Sequence, residues 1–348
     1  MRILVTGATG LVGSHATARL IADGHAVRAL VRDPAKLART LAPLGVDPGA
    51  VDAVEGNILE PEQIEAAATG CDGALHCAGY YSHDPQQADA MTRTNVEGTD
   101  HVLAVAVRMG LDPVVHVSSF LALFPCPGDR MTADAPVTTP RAAYARSKAD
   151  AERIARRHQD ANAPVVTVYP ASVQGPHDPT VVNGTSQTGP AIIARAVRAG
   201  RVLVTEGGLA YTDARDLAAV LSAAMQPGLG PRRYLFGGSF LSHQAYYDLL
   251  CELTGRELKA DRLPGWLLRA MGHVGDLRQR WFGTNAELHS EAAWVLTRSV
   301  PLDDSAVRKD FGIEPMSARE SFKDLLHWML EAGLLDATQA GRVASRTE

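Results

Sequence analysis

Arg2-Ile-Leu-Val-Thr-Gly-Ala-Thr-Gly-Leu-Val-Gly13 joins an apolar, strand-like run to a helical pattern through three glycines, each three residues after the last. Glycines at such a strand-to-helix turn let the backbone approach a pyrophosphate closely, and the first N–H groups of the helix donate to it. The spacing Gly-x-x-Gly-x-x-Gly differs from the commoner Gly-x-Gly-x-x-Gly, but strand, loop and helix follow in the required order. The segment therefore predicts a dinucleotide site at the start of an α/β fold.

Short β-branched runs alternate with helical segments through the first half of the chain. The predicted strands are Arg2–Thr6, Ala26–Val31, Ala53–Gly56, Gly73–His76, Val114–Ser118 and Val165–Tyr169, and the two longest predicted helices are Pro85–Met109 and Ala142–Gln159. This alternation is typical of a parallel sheet with helices on both faces. We therefore expect a Rossmann-like, doubly wound parallel sheet.

The alternation stops in the second half of the chain. Residues 176–190 are rich in Gly, Pro, Thr and Asn and predict a loop, and most of the chain after residue 242 has a helical pattern. We predict a dinucleotide-binding domain formed by residues 1–170 and 211–240, and a smaller, mainly helical substrate lobe formed by residues 171–210 and 241–335. Residues 336–348 are polar and lack periodicity, which predicts a flexible tail.

The composition is that of a globular protein with a large core. The chain has 348 residues, 46% hydrophobic and 21% charged, and a formal net charge of −5. Its mixed charges give no basic stripe for nucleic acid and no polybasic segment for a membrane. The apolar runs are too short for a signal peptide or a membrane-spanning helix, so we expect a cytoplasmic protein without membrane insertion. The four cysteines predict no disulfide.

Tyr144 and Lys148 are four residues apart in a segment that we predict to be helical. Side chains at i and i+4 lie on one helix face and can act together. A charged lysine beside a phenol favours the phenolate, so we expect Lys148 to lower the pKa of Tyr144 from its ordinary value of ~10 toward neutrality. Tyr144 is therefore a candidate proton donor, although Tyr-x-x-x-Lys is a short motif that chance also produces.

Arg32 directly follows the second predicted strand. Proteins that bind an unphosphorylated dinucleotide usually place an acidic residue here, whereas an arginine suits a 2′-phosphate. We therefore expect NADP(H) to be preferred and NAD(H) to be possible, with Lys36 and Arg39 as auxiliary cations. The alternative is that Arg32 is a solvated surface residue and that Asp33 reaches part of the ribose.

Four motifs, taken in order, carry a resemblance to a known family. They are the glycine loop, Asn95-Val-Glu-Gly-Thr99, the pair Ser118-Ser119 and Tyr144-Ala-Arg-Ser-Lys148. With them the chain resembles the extended short-chain dehydrogenase/reductases, the NAD-dependent epimerase/dehydratase family. It is most similar to the dihydroflavonol-4-reductase-like and 3β-hydroxysteroid-dehydrogenase-like members, because of the segment Val27–Pro34 and the Asn95 motif. The resemblance covers residues 1–240 and weakens beyond them.

The resemblance implies a role for each matching catalytic residue. Tyr144 would be the general acid/base, and Lys148 would lower its pKa and hold the nicotinamide ribose. Ser119, rather than Ser118, would hydrogen-bond the substrate oxygen. Asn95 would hold its helix and a water of the proton relay, or else be satisfied locally.

The resemblance also implies cofactor contacts at the carboxyl ends of the strands. These are Thr6, Gly7, Gly10, Leu11, Val12, Gly13, Arg32, Asn57, Ile58, Cys77, Ala78, Gly79, Tyr144, Lys148, Pro170, Ser172 and Val173. Asn57 stands where the family often has an aspartate, which leaves its contact with adenine open. Cys77 is equally compatible with a core thiol. No metal site is predicted, because the histidines and cysteines are too scattered for a ligand set.

These implied roles predict hydride transfer between NADP(H) and a carbonyl or alcohol of a small, lipophilic substrate, with Tyr144 giving its proton to the oxygen. A nucleotide-sugar epimerase with tightly bound NAD is an alternative, although the apolar stretch Leu263–Met271 suits a lipophilic ligand better. A dehydratase is disfavoured because Phe120 follows Ser119 where an acid is needed. A redox sensor that binds the dinucleotide without turnover is an alternative of another class, which the presence of Ser119, Tyr144 and Lys148 together disfavours.

The two longest predicted helices carry Leu103, Val107 and Ile154 at helical spacing. Two such faces from two copies would form a four-helix interface, so the sequence and the resemblance predict a homodimer. The alternative is that these side chains pack against their own sheet.

Overall fold

The computed structural model describes residues 1–82, 84–181, 188–282 and 288–346. Its strands are β1 Arg2–Thr6, β2 Ala26–Val31, β3 Val51–Glu55, β4 Gly73–His76, β5 Val114–Val117, β6 Val165–Pro170, β7 Ser172–Gln174, β8 Arg201–Val204, β9 Gly208–Asp213, β10 Arg232–Phe236, β11 Ser239–Ser242 and β12 Lys259–Arg262. Its helices are α1 Leu11–Ala22, α2 Pro34–Leu41, α3 Pro61–Ala68, α4 Ala88–Thr92, α5 Gly98–Arg108, α6 Ala143–Asp160, α7 Gly189–Ala199, α8 Ala214–Ala223, α9 His243–Thr254, α10 Gly265–Phe282, α11 Ser290–Arg298, α12 Ser305–Phe311, α13 Ala318–Glu331 and α14 Ala337–Ala340. None of the helices within the described ranges combines the length and apolar character needed to cross a membrane.

Seven of the described strands form one parallel sheet in the order β10-β6-β5-β4-β1-β2-β3. Strands β2 and β3 lie on one side of β1, and β4, β5, β6 and β10 lie on the other side. The strand order therefore reverses between β1 and β4. A crevice outside the carboxyl ends of the strands is the ligand site of such sheets. The predicted Rossmann-like, doubly wound sheet is confirmed.

Helices cover both faces of this sheet. On one face Leu20, Val5 and Leu217 belong to a core to which α1 and α8 contribute, and on the other Leu4, Ile64 and Leu103 belong to a core that includes α3, α5 and α6. Apolar runs that are buried on both sides are characteristic of strands in a parallel sheet. This packing fixes the positions of the loops at the carboxyl edge, where the candidate site lies.

The substrate lobe has a core of its own. Strands β11, β9 and β7 form a small sheet, β12 pairs with β8, and buried side chains of α7, α9 and α13 pack together around Val197, Leu250 and Phe322. The chain leaves the main sheet after β6 and returns for β10. Two strands of the small sheet, β9 and β11, extend across the boundaries drawn at residues 210/211 and 240/241. The division into two domains stays a prediction.

The end of the chain differs from the flexible tail expected from the sequence. Asp336 and Gln339 form a capping box at the start of α14, and residues 341–346 continue as a 3₁₀ turn. Ala340 and Val343 are buried in the lobe core. The two apolar side chains are too few to give a periodic pattern, which is why the segment resembles a tail in the sequence, but their burial and the capping box hold it to the lobe.

Candidate active site

The glycine loop between β1 and α1 forms a cradle lined by backbone. Gly10 is the N-cap of α1, and no described side chain caps this helix start. Gly7 has a φ of +78°, and a Cβ built there would lie 2.5 Å from the backbone nitrogen of Ala78, while a Cβ on Gly13 would overlap the Gly7 carbonyl oxygen. The free N–H groups at the start of α1 can bind a pyrophosphate, because the glycines of the loop carry no side chain that would stand between them and a ligand. These residues therefore fit the predicted dinucleotide.

Thr6 serves the fold with its side chain. Its Oγ1 lies 2.7 Å from His76 Nδ1, and His76 Nε2 lies 3.0 Å from Thr99 Oγ1. Because the Thr99 hydroxyl donates to the Asn95 carbonyl (2.7 Å), it must accept from Nε2–H, so Nδ1 accepts from Thr6. Burial lowers the pKa of His76 to about 3 and keeps it neutral. The Thr6 side chain is therefore committed to joining β1, β4 and α5.

Asn95 lies in a π-helical turn, Arg93–Glu97, between α4 and α5. Its Oδ1 accepts from the Tyr80 N–H (2.7 Å), and its Nδ2 donates to the Tyr80 carbonyl (2.9 Å) and to Ser147 Oγ (2.9 Å). Such turns are frequent at functional sites because they re-aim one side chain within a helix. Both amide hydrogens are used within the fold, so the side chain of Asn95 joins the loop after β4 to helix α6.

Helix α6, which carries Tyr144 and Lys148, packs at the carboxyl end of β5 beside the turn that begins after Ser119. Lys148 Nζ donates to the Val117 carbonyl (3.2 Å), two residues before Ser119, and Tyr144 lies one turn earlier on α6. Ser119 is extended, and its Oγ accepts the Leu121 N–H (3.2 Å) at the start of a 3₁₀ turn that packs on α6. The three residues thus lie on two elements that pack together at this edge of the sheet, and their catalytic roles stay a prediction.

The pKa values in this cluster differ from the sequence expectation. Burial raises the pKa of Tyr144 above its ordinary value, and the neighbouring Tyr81 raises it further. Burial lowers the pKa of Lys148 to about 8, against the opposing effects of Cys77 and Glu152. The expectation that Lys148 draws the pKa of Tyr144 toward neutrality is wrong for this arrangement, because the ammonium is directed at the Val117 carbonyl and burial dominates at the phenol.

The loop after β4 brings Cys77, Ala78 and Gly79 to the same place. A Cβ on Gly79 would lie 3.5 Å from Asn95 Oδ1 and 3.9 Å from Lys148 Nζ. Burial raises the pKa of the Cys77 thiol to about 12, with Lys148 opposing it, so Cys77 is a protonated thiol in this setting. Backbone of this loop thus lines the crevice between the glycine loop and Lys148.

The residues predicted to contact the adenosine part of the cofactor differ in how far the fold itself already engages their side chains. Arg32 is exposed at the end of β2 and has no hydrogen bond or ion pair with any described residue, whereas Asp33 caps α2 by accepting the Lys36 N–H (2.9 Å). Asn57 Oδ1 accepts the Leu59 N–H, and Ile58 is buried against Gly98 of α5. Arg32 is thus free for a ligand, while Asn57 and Ile58 also stabilise their own loop.

At the far side of the crevice, β6 ends at Pro170 and the chain continues directly into β7 with Ser172 and Val173. Ala171 N–H donates to the Phe236 carbonyl of β10 (3.2 Å), which fixes the bend between the two strands. Ser172 and Val173 are half-buried. These residues lie at the carboxyl end of β6, the strand that follows β5 in the sheet.

A protein-family description matches residues 3–237, the range that contains the glycine loop, Ser119, Tyr144 and Lys148. The description is "Epimerase: NAD dependent epimerase/dehydratase family". The chain belongs to this family. It is accordingly an NAD(P)-dependent enzyme of the extended short-chain dehydrogenase/reductase type.

Two relatives and one solved structure are similar to this family member over nearly its whole length. It is 30% identical to a Synechocystis sp. protein named "Putative dihydroflavonol 4-reductase", over 94% of each chain. It is 28% identical to the 4-hydroxy-2-methyl-3-oxo-4-farnesyl-3,4-dihydroquinoline-1-oxide ketoreductase of Stigmatella aurantiaca, over 96% of this chain and 98% of that protein. The crystal structure of gox2253 shares the fold with a TM-score of 0.79 at 24% identity, over 96% of this chain and 99% of that one.

Sequence reasoning missed two contacts of the catalytic helix in this family member. The Tyr81 ring packs edge-on against Tyr144, with ring centroids 4.5 Å apart. Glu291 Oε2, on α11, accepts the Ala142 N–H (2.8 Å) and so caps α6 from 149 residues away. The pair Tyr80-Tyr81 directly after Gly79 was a visible signal for the first contact, because aromatic residues after a parallel strand lie at the ligand edge. No local pattern indicates the second.

Proposed function

We propose that this protein reduces a ketone or aldehyde of a small, lipophilic substrate with NADPH, or oxidises the corresponding alcohol, through Ser119, Tyr144 and Lys148. The observation that carries the proposal is the contact of Lys148 with the Val117 carbonyl, because it ties the helix that bears Tyr144 to the end of β5, two residues before Ser119. Tyr81 against Tyr144, and Tyr80 next to it in the same loop, provide exposed aromatic surface for an apolar substrate. The ketoreductase relative, whose named substrate carries a farnesyl group, supports the same substrate class.

In this mechanism the chain supplies a proton and an electrostatic cradle for the carbonyl oxygen. The bound cofactor supplies the hydride. Ser119 keeps its hydroxyl hydrogen for the substrate oxygen, because its own oxygen accepts from Leu121. Tyr144, protonated at neutral pH, gives its proton to that oxygen as negative charge develops there. Lys148, charged below about pH 8, holds positive charge beside the reacting groups and is placed to bind the nicotinamide ribose.

A substrate panel tests this proposal. The purified protein is incubated with NADPH or NADH and ketosteroids, flavonoid-like ketones, aldehydes or nucleotide sugars, and oxidation of the nicotinamide is followed by absorbance. Turnover of a lipophilic carbonyl supports the proposal. Conversion of a nucleotide sugar alone, with bound NAD, identifies an epimerase instead, and tight dinucleotide binding without turnover of any substrate identifies a redox sensor.

Replacing Arg32 with aspartate is expected to weaken NADPH binding by roughly ten- to a hundredfold and to affect NADH less. The free guanidinium of Arg32 can make two charge-assisted bonds to a 2′-phosphate, worth about 1.5 to 3 kcal/mol each before screening by solvent. Calorimetric titration of both cofactors measures the effect. Arg157→Asp, on the exposed side of α6, changes the net charge equally and should leave both affinities unchanged. Equal affinity of the wild type for the two cofactors would show that Arg32 is a solvated surface residue that does not select the cofactor.

A homodimer remains part of the proposal, but not through the side chains that suggested it. Leu103 and Ile154 are buried in the core of their own protomer, and Val107 packs against that core. An interface between α5 and α6 of two copies would use outward-facing residues such as Ala104 and Arg157. Light scattering at micromolar concentration decides the point, because a mass of one chain would exclude the dimer.

A cytoplasmic location, tested by cell fractionation, completes the proposal.

A further inference from the structure

Three of the four tryptophans of the chain are exposed on two helices of the lobe that pack against each other. Trp266 and Trp281, near the two ends of α10, are 65% and 72% exposed, and Trp294 on α11 is 41% exposed. The fourth, Trp328, is buried in the lobe core. Tryptophan side chains are highly buried on average, so three exposed together indicate a surface that is covered in the working protein.

The outward side of α10 is a continuous apolar stripe. At 3.6 residues per turn, Trp266, Ala270, Val274, Leu277 and Trp281 fall within about 80° of arc, and at 1.5 Å per residue they extend over about 22 Å. All five are exposed, Val274 to 57% and Leu277 to 52%. The opposite side of the helix buries Leu268 and Gly272, the latter against Ser290 at the start of α11. The helix is therefore apolar on both sides, but only one side has a partner among the described residues.

The charged side chains beside the stripe are mainly basic, with one carboxylate at its first turn, where exposed Glu206 accepts the Gly265 N–H (2.7 Å). Arg278 is exposed beside the stripe. Arg269 is half-buried on the other edge, where its guanidinium donates to Thr297 Oγ1 (3.0 Å) and lies over the Trp294 ring, 5.9 Å from the centroid. The single acidic residue of α10, Asp276, points toward α11, where it accepts the Ser290 N–H (3.2 Å). The exposed side of α10 thus combines apolar side chains with arginines at its borders.

We propose that α10 lies in the interface of an anionic phospholipid bilayer, with the stripe at the acyl boundary and Arg269 and Arg278 at the phosphate groups. An amphipathic helix with tryptophans on the apolar side and arginines at the borders is suited to this position, because the indole ring favours the boundary between headgroups and acyl chains. The helix lies in the plane of the interface and does not cross the bilayer.

A second copy of the chain suits this surface less well. An isologous contact would bring the same stripe from each protomer together, and each copy would contribute two arginines, Arg269 and Arg278, with Glu206 as the carboxylate at the start of the helix. A single helix face with five apolar side chains also falls short of the ~800 Å² per partner that a standard interface buries. Phosphate headgroups supply the missing negative charge.

Membrane contact would give the active site a source of its substrate. This consequence rests on the proposed lipophilic carbonyl substrate, which would be concentrated in the bilayer, whereas the contact itself does not. Helix α11, which packs on α10, carries Glu291, and Glu291 caps the helix that bears Tyr144. The helix pair that would contact the bilayer is thus hydrogen-bonded to the catalytic helix.

Vesicle flotation tests the proposal without any substrate. The full chain is mixed with vesicles of phosphatidylcholine, with or without phosphatidylglycerol. It should float with the anionic vesicles, less with neutral ones, and less at high salt, because salt screens the arginines. The double variant Trp266→Ser/Trp281→Ser should lose about tenfold or more of the partitioning. Ile192→Ser, which removes a side chain 50% exposed on α7, is the matched control and should float like the wild type.

Fluorescence identifies which residues meet the lipid. The variant Trp294→Phe/Trp328→Phe keeps only the two tryptophans of the stripe, and their emission should shift to the blue and be quenched by brominated phosphatidylcholine in anionic vesicles. Failure of the full chain to float with anionic vesicles, or equal flotation of the double variant, overturns the proposal. A concentration-dependent increase in mass that the double variant abolishes, without lipid binding, assigns the stripe to a second copy and also overturns it. Failure of the carbonyl panel would leave the flotation result unchanged.

Discussion

Replacing Tyr144 with phenylalanine is expected to lower kcat for carbonyl reduction by about 10²- to 10⁴-fold, the contribution of a positioned general acid. The substitution removes the hydroxyl alone. The ring stays edge-on against Tyr81, so folding and cofactor affinity should remain close to the wild type. Steady-state kinetics on the carbonyl found with the substrate panel measure the loss, and NADPH titration of the same preparation shows that the cofactor still binds.

Tyr80→Phe is the matched control for this experiment. Tyr80 is in the same loop as Tyr81, and its hydroxyl donates to Gln87 (3.3 Å). If loss of any hydroxyl near the crevice disturbed catalysis, the two variants would behave alike. We expect Tyr80→Phe to keep kcat within about tenfold of the wild type, since no proton transfer depends on it. A Tyr144→Phe variant that retained more than about a tenth of wild-type kcat would show that another group donates the proton.

The sequence predicted the parallel sheet well where each strand is an apolar run bounded by turn residues. β1, β2 and β4 have the predicted bounds, because most of their side chains are buried and give a largely apolar run despite Arg2, Arg28 and His76. β10 was missed. It begins with Arg232 and Arg233, and its place in the sheet depends on pairing with β6, more than 60 residues earlier. The same holds for β12, whose sequence Lys259-Ala-Asp-Arg262 becomes a strand only beside β8.

The sequence identified candidate site residues, but it did not predict their burial, their pKa values or the direction of their side chains. Motif spacing named Ser119, Tyr144 and Lys148 as candidates, because the spacing of Tyr144 and Lys148 on one helix is a local property of the sequence. The pKa of Tyr144 depends on burial and on Tyr81, and the direction of the Lys148 ammonium depends on the Val117 carbonyl. Both are consequences of tertiary packing.

Helix periodicity likewise predicted which side chains share a helix face, but it did not predict which part of the molecule, or solvent, that face contacts. Leu103 and Ile154, expected at a dimer interface, are buried in their own core. The stretch Leu263–Met271, expected to suit a lipophilic ligand, buries Leu268 but leaves Trp266 and Met271 exposed. Periodicity reports amphipathicity alone, and the partner of each face is decided by contacts between distant segments.

Replacing Gly7 with alanine is expected to weaken dinucleotide binding on the order of a hundredfold and to lower the free energy of unfolding by about 2 to 4 kcal/mol. Gly7 has a φ of +78°, which costs an alanine about 1 kcal/mol. The new Cβ would also lie 2.5 Å from Ala78 N and 2.6 Å from Ala78 Cα, so the glycine loop or the loop after β4 must move. Calorimetric titration with NADPH measures the first effect and urea denaturation the second.

Gly24→Ala separates the two causes, because Gly24 has nearly the same backbone conformation without the steric conflict. Its φ is +84°, and nothing lies within 4 Å of a Cβ built there. This variant should lose about 1 kcal/mol of stability and keep the wild-type cofactor affinity. If both variants lost equal stability and neither lost affinity, Gly7 would be needed only for its backbone angle. A loss of affinity confined to Gly7→Ala would mean that the close approach of the glycine loop to Ala78 shapes the dinucleotide site, since that approach is what distinguishes the two positions.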